Sequence, residues 1–414
     1  MKRFLILLLA ALPGYFTFAR SGDGSPVPLK TGNWKGVLQR ADGGQIVFIF
    51  DVRYEKGKPL LRIHNAGERL EVKQVSQSAD SVFIEMPFFE SSFRLQQQPD
   101  GSLAGNWIKG TSSKTIVMPF TATPGNIPRF TAAAAPQANL TGKWELTFSK
   151  NGDTTPAVAQ LQQKGALLTG SILTPTGDYR YLEGIVAGDS LYLSTFDGSH
   201  AYVFTAAVGE GQTLRGGRFI SGPVYQEDFT GRKNEQAMLP MEEVAMRLKG
   251  DEDRLNFRFP DINGKPVGIN DKRFAGKVVI VQIMGSWCPN CMDETAFLSE
   301  YYRRNRGRGV EMVALAYEYS TDTARSNKTL RKFRDRFNVT YPILLTGVTT
   351  GDTLRTQKTL PQLTEIKSFP STVFIGRDGR VKKVHGGFFG PATGEAYTQY
   401  KAEFEETVNS LLVE

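Results

Sequence analysis

The 414-residue chain has two cysteines, three positions apart, in Gly285-Ser286-Trp287-Cys288-Pro289-Asn290-Cys291. A crosslink closing so short a loop removes little freedom from the unfolded chain, because loop-closure entropy grows with loop length. An exported protein stapled by disulfides carries several well-separated pairs instead. The pair therefore points to chemistry, either thiol–disulfide exchange or metal ligation. A zinc site needs two further ligands, and beside carboxylates the chain offers only His64, His200 and His385, two of which belong to other domains. Redox exchange is the better reading, with no metal and no organic cofactor.

The elements around the pair give each sulfur a role. Residues 278–284 form a near-continuous apolar run, too short for a helix and typical of a strand buried on both faces of a sheet. A helix is predicted from there to about residue 306. Cys288 then stands at the first turn, where unpaired N–H groups and the positive end of the helix dipole favour an anion, so it is the attacking sulfur. Pro289 fits because a first-turn N–H has no intrahelical acceptor to lose. Cys291 lies one turn further on the same side, less exposed, and resolves the mixed disulfide. Further strands at 312–316, 341–345, 372–375 and 381–384, with helices at 324–337 and 393–412, predict a mixed α/β sheet covered on both sides.

This motif at a strand–helix junction resembles the Trp-Cys-x-x-Cys active site of thioredoxin-fold proteins, and the order of elements over 257–412 resembles that fold. Within the superfamily it is similar to the exported TlpA and ResA group of disulfide reductases. The likeness rests on Glu294, three after the second cysteine, and on Phe259-Pro260-Asp261-Ile262-Asn263-Gly264-Lys265-Pro266. Ser368-Phe369-Pro370-Ser371-Thr372, just before a strand, falls where that family keeps a cis-proline beside its disulfide. The resemblance implies a thiol-disulfide oxidoreductase domain over 255–414, disulfide-containing proteins as substrates, and a membrane thiol donor that regenerates the reduced form. It also implies that the Phe369 backbone pairs with an extended substrate strand beside the sulfurs.

Trp287 and Phe369 make an apolar rim around Cys288 on this reading, or else belong to the core. Glu294 manages the proton of Cys291, or else, like Asp293, only stabilises the dipole of the helix start. Thioredoxins carry a buried Asp six before the first cysteine; here that place holds Gln282, which raises the weight on Glu294. The spacer Pro289-Asn290 carries no charge to stabilise a thiolate strongly, which favours a reductase over an oxidant. His385, alone after a strand, reads as structural.

The first 240 residues have a different grain. Short β-rich runs punctuated by Gly, Asn and Asp fill 21–123 and 139–234, separated by a Pro- and Ala-rich linker at 124–138. Gly32-Asn33-Trp34 is echoed by Gly142-Lys143-Trp144, Ala79-Asp80-Ser81 by Gly188-Asp189-Ser190, and Gly105-Asn106-Trp107 by Gly217-Arg218-Phe219. The order and near-constant offset predict two copies of one antiparallel β domain, a barrel or a sandwich. The fold class is thus two duplicated all-β domains followed by an α/β thioredoxin-like domain. A connector over 235–254 includes a charged helix at 241–249. No catalytic constellation emerges in the β domains; Asp80, Glu85, Asp189 and His200 read as turn and strand-end residues. The competing function is a ligand- or partner-binding β protein with an accessory thioredoxin module.

Met1-Lys2-Arg3, an apolar run over 4–12 and the small-residue site Thr17-Phe18-Ala19 have the layout of a signal peptide over 1–19, so the expected location is the periplasm. The run is short of the roughly 20 residues of a spanning helix, so the mature protein is expected to be soluble. Formal charge is +8, two of it from Lys2 and Arg3, and the basic clusters at 303–306 and 325–336 fall on predicted helices. Neither makes a case for nucleic acid.

Overall fold

A computed structural model describes residues 26–240 and 246–414. The expected leader, and residues 241–245 of the expected connector helix, lie outside the described residues. Among the described residues, no helix is long and apolar enough to cross a membrane.

The first unit is built of β1 (Gly32–Gln39), β2 (Gln45–Glu55), β3 (Lys58–Asn65), β4 (Glu68–Val72), β5 (Gln74–Ser78), β6 (Ser81–Glu85), β7 (Ser91–Gln97), β8 (Leu103–Gly110) and β9 (Thr115–Pro124). Sequence neighbours pair antiparallel, and β9 returns to pair with β1. β4 and β5 are separated only by Lys73 and behave as one bent strand, the first half paired to β3 and the second to β6. Alternating burial puts Val82 and Ile84 of β6 inside and Phe83 and Glu85 outside, the period-two pattern of a sheet with one wet face.

The second unit repeats the plan with β10 (Gly142–Lys150), β11 (Asp153–Lys164), β12 (Leu167–Thr174), β13 (Gly177–Asp178), β14 (Leu182–Ala187), β15 (Ser190–Phe196), β16 (Ala201–Gly209), β17 (Thr213–Ser221) and β18 (Tyr225–Lys233). β11 pairs with β12, β12 with β14, and β18 with β10, so this ring is closed. Both units are barrel-like, which resolves the choice between barrel and sandwich. The echoed motifs occupy equivalent places. Trp34 and Trp144 are buried in the first strand of each ring, and each indole N–H donates to the carbonyl four residues earlier, Lys30 or Leu140, at 2.9 Å. Asp80 and Asp189 stand in the turns before β6 and β15, and Trp107 and Phe219 in β8 and β17.

The barrels interlock. Phe196, at the end of β15, is fully buried in the aromatic interior of the first barrel, stacked on Phe48 with centroids 4.3 Å apart and edge-on to Trp107. Asn65 pins it there: its Nδ2 donates to the Phe196 carbonyl at 2.8 Å, and its Oδ1 accepts the Phe196 N–H at 3.2 Å. The Pro- and Ala-rich linker is tied down as well, since buried Arg129 donates to Ser194 Oγ at 3.1 Å and to the His64 carbonyl at 2.6 Å.

The third unit opens with a hairpin, β19 (Arg258–Pro260) and β20 (Pro266–Gly268), and continues β21 (Val278–Met284), α1 (Pro289–Asn305), β22 (Val310–Ala316), α2 (Thr323–Phe337), β23 (Ile343–Leu345), α3 (Arg355–Thr359), β24 (Ser371–Ile375), β25 (Val381–Gly386) and α4 (Glu395–Val413). The sheet order is β23-β22-β21-β24-β25, with β21, β22 and β23 parallel and β24 antiparallel to β21. All seven residues of β21 are buried. One face packs on Leu298, Leu330, Phe333 and Phe404 of α1, α2 and α4, the other on Leu255, Phe257, Phe274 and Leu363.

The connector departs from expectation. Residues 246–249 are extended rather than helical: Leu248 bridges Leu363, Lys249 N–H donates to the Gln362 carbonyl, and Thr364 N–H donates to the Arg247 carbonyl. Met246 and Leu248 bury on alternate positions against the sheet's second face, and this period of two overrides the helical propensity of the charged segment.

Candidate active site

β21 ends at Met284, and the chain turns through Gly285 and Ser286 into α1. Gly285 is required there, because a Cβ would lie 2.1 Å from the indole nitrogen of Trp287. Buried Glu318 holds this turn, accepting the Ser286 N–H at 2.8 Å and its hydroxyl at 2.5 Å. Cys288 is the N-cap of α1 with Pro289 in the first turn, and its sulfur accepts the Cys291 N–H at 3.1 Å. Both cysteines are free thiols; Cys288 is 4% exposed and Cys291 is fully buried. Burial, and then the neighbouring Cys288 sulfur, push the Cys291 thiol well above its ordinary range.

The predicted site residues converge. Cys288 Sγ donates to the Phe369 carbonyl at 3.4 Å, and the Phe369–Pro370 bond is cis. The Trp287 ring meets Phe369 edge-on at 5.4 Å and stacks on Tyr319 at 5.2 Å, while its N–H donates to the Tyr317 carbonyl at 2.7 Å. Trp287 and Phe369 are half-buried, so each anchors in the core and still edges the cysteine.

Glu294 is fully buried rather than a solvated acid of the first turn. Its Oε1 accepts from Thr372 Oγ1 at 2.7 Å and from the Tyr400 hydroxyl at 3.0 Å, and its Oε2 accepts from Gln282 Nε2 at 2.8 Å. Burial pushes the carboxyl up against the pull of these three donors. Gln282, at the position where thioredoxins have an acid, thus donates to the buried carboxyl of Glu294. Thr372 and Tyr400 escaped the sequence reading because they lie 78 and 106 positions away, with no local pattern to mark them. His385 lies 5.2 Å from the Tyr400 ring, His64 bonds Asp51, and His200 sits beside Asp197, so the three histidines have separate surroundings.

The second barrel reaches the same site, which the sequence did not foretell. Asn290, in the spacer between the cysteines, donates from Nδ2 to Asp178 Oδ2 at 3.3 Å and to the Phe388 carbonyl at 3.2 Å. Asp178 also accepts the Gly390 N–H at 2.7 Å. Ser199 Oγ donates to the Trp287 carbonyl at 3.3 Å and is itself held by Lys109 of the first barrel. Burial draws the Lys109 ammonium down to about 8, against the nearby Asp197. Arg180, buried and left-handed at φ +56°, binds Asp293 of α1 at 2.8 and 3.0 Å, Asp197 at 3.0 Å and Glu68 of the first barrel at 2.7 Å. One guanidinium therefore joins all three units, two residues past Cys291.

Comparison with known proteins places this domain. Residues 249–399 match the Redoxin family model. The thiol-disulfide oxidoreductase ResA of Bacillus subtilis is 27% identical over 132 residues, 32% of this chain and 64% of its own length. ResA of Halalkalibacterium halodurans is 25% identical over 158 residues, 38% of this chain and 76% of its own. The chain spans 63% of the length of the ResA proteins of Bacillus thuringiensis and Bacillus cereus. Among solved structures, a thiol-disulfide isomerase from Corynebacterium glutamicum is 18% identical, covers 41% of this chain and 97% of its own, and aligns with a TM-score of 0.30. A thiol:disulfide interchange protein of the thioredoxin family from Chlorobium tepidum is 20% identical, covers 40% of this chain and 97% of its own, with a TM-score of 0.29. The C-terminal unit of this chain is a thioredoxin-like domain that matches the Redoxin family model and is similar to the ResA thiol-disulfide oxidoreductases.

Proposed function

We propose that the chain is an extracytoplasmic thiol–disulfide oxidoreductase working as a protein-disulfide reductase. The observation that carries this reading is the pair itself: an N-cap sulfur against the Phe369 carbonyl, and a buried second sulfur one turn on, three residues before a buried carboxyl. The thiolate of Cys288 attacks one sulfur of a substrate disulfide; that S–S bond breaks, and the leaving thiolate takes up a proton. Cys291 then gives its proton to the ionised carboxylate of Glu294 and attacks Cys288 Sγ, expelling the second substrate sulfur as a thiolate, which takes up a proton, while Glu294 releases its proton to solvent. Two electrons have moved from the enzyme dithiol to the substrate, and a membrane dithiol donor restores Cys288 and Cys291.

Trp287 and Phe369 edge the approach to Cys288, and the Phe369 backbone pairs with an extended substrate. The N-terminal layout of basic, apolar and small residues supports export to the periplasm. The barrels are read as copies of one domain that serve recognition. Reduction of insulin disulfides by the whole chain, with dithiothreitol as donor, tests the reading. Cys288→Ala abolishes turnover with the fold intact; retained turnover would remove Cys288 as nucleophile.

A further inference from the structure

The second barrel covers the redox centre on one side. Its β15–β16 tip runs Phe196-Asp197-Gly198-Ser199-His200, with Phe196 locked in the first barrel, Asp197 on Arg180 and Ser199 on the Trp287 carbonyl. Its 177–180 segment lies on the spacer: a Cβ at Gly177 would stand 2.8 Å from Asn290 Nδ2, and one at Gly387 3.1 Å from the Thr176 carbonyl. Phe196 of the tip, with Ala201 and Val203 of β16, shares one buried cluster with Cys288, Cys291 and Met292. The result is an attacking sulfur with 4% of its residue surface open, at the meeting of three units.

A fold that only needed to join its units had no need to seat the joint on the catalytic spacer. We infer that Arg180 and the β15–β16 tip are specificity-determining elements that act as a size filter: docked, they admit small disulfides to Cys288, and only their release admits disulfides carried on proteins. The inference rests on the oxidoreductase reading for its substrates, but not for its geometry. The Arg180 node is suited to the task because its attraction is concentrated in one side chain. Three carboxylates, Glu68, Asp197 and Asp293, converge on it, and without the guanidinium they repel one another in a buried place. A docked state favoured by about 100 to 1 over an open one keeps protein substrates waiting on rare openings, and weakening the node raises the open fraction by up to about 100-fold.

The test measures access directly. In the reduced whole chain, Cys288 is alkylated with iodoacetamide and, separately, with a maleimide carrying a large polymer, and the site is read by peptide mass spectrometry. Arg180→Met should raise the ratio of bulky to small labelling by about tenfold or more, and Glu68→Gln, which keeps a hydrogen bond but loses one charge, by less. Glu68→Gln also serves if Arg180→Met fails to fold. In parallel, kcat/KM for insulin should rise relative to that for glutathione disulfide. A joint with no filtering role lowers thermal stability but leaves both ratios unchanged, and that result overturns the inference. A labelling ratio that rises while neither disulfide is turned over through Cys288 supports the filter and rejects the reductase reading instead.

Discussion

The two barrels place the same hairpin in different company. In the first, the turn between β6 and β7 carries Phe88, Phe89 and Glu90 to α2, where Phe88 meets Phe337 and Glu90 pairs with a partly exposed Arg325 at 2.7 Å; Lys332 pairs with Glu85 beside it. In the second, the equivalent turn between β15 and β16 carries Phe196, Asp197 and Ser199 to the first barrel, to Arg180 and to the backbone of Trp287. The tips touch, since a Cβ at Gly198 would fall 2.6 Å from Met86 Cε. One tip braces a helix through half-solvated ion pairs; the other buries its polar contacts against Arg180 and the backbone of Trp287, next to Cys288 in the chain. Repeated architecture thus fixes where a hairpin points, and a few tip residues decide whether it props the neighbouring domain or enters its chemistry.

Truncating one contact of each tip, Phe196 in the second barrel and the Arg325 that the first tip engages, should separate these roles. Phe196→Ala empties a fully buried ring position between the barrels and should cost about 3–5 kcal/mol. Arg325→Ala in the same calorimetric series should cost under about 1 kcal/mol, because its ion pair is screened by water. Equal losses would erase the distinction.

Charge at the second interface should show in the pH dependence of stability. Burial pushes the Asp178 carboxyl from 3.8 up to about 6, only partly opposed by the Gly390 N–H, and Asp293 raises it further. A folded value above the unfolded one means that the stability from its proton is complete below about pH 4 and is lost as pH rises through about 6. The displacement corresponds to about 3 kcal/mol. Asp178→Asn should therefore flatten the fall in melting temperature between pH 4 and 7. Glu68 and Glu294, also raised by burial, keep part of the slope. An unchanged slope would show that Asp178 stays ionised in the docked state.

Within the site, Glu294→Gln keeps size but exchanges one of the two accepting oxygens for a donor, and it cannot take the Cys291 proton. Stopped-flow traces should show the resolving step slowed by about 100-fold with an altered pH profile, and attack by Cys288 little affected. Two unchanged profiles would reduce Glu294 to a buried structural acid.

What the sequence made legible was local. The apolar run over 278–284 is β21 to the residue, because a strand buried on both faces leaves an unbroken signature. Cys288, Pro289 and Cys291 carry their helix-start geometry in their own order, and Pro370 carries its place before β24. The echoes of Trp34 and Trp144 marked equivalent strands because an indole at a barrel mouth needs the same carbonyl in both.

What stayed hidden was long-range and polar. Asp178 meets Asn290 across 112 positions, and Arg180 meets Glu68 across another 112, with no periodicity to link them. Asp197-Gly198-Ser199-His200 reads as a turn, and is one: Asp197 Oδ1 accepts the N–H groups of Ser199 and His200. Turn chemistry masked the second task of the same residues. Residues 246–249 misled in the opposite way, because the charged composition around them spoke for a helix while the sheet face selected the alternate residues Met246 and Leu248.

Exchange through this site depends first on Cys288 as the attacking sulfur and Cys291 as the resolving one, and covalent trapping tests that division most directly. In the whole chain, Cys291→Ala incubated with a disulfide-bearing protein should accumulate a mixed disulfide, and peptide mass spectrometry should locate it on Cys288, because the resolving attack is blocked. Cys288→Ala should accumulate none. A stable adduct on Cys291 in the Cys288→Ala variant, or the absence of any adduct on Cys288 in Cys291→Ala, would contradict the account.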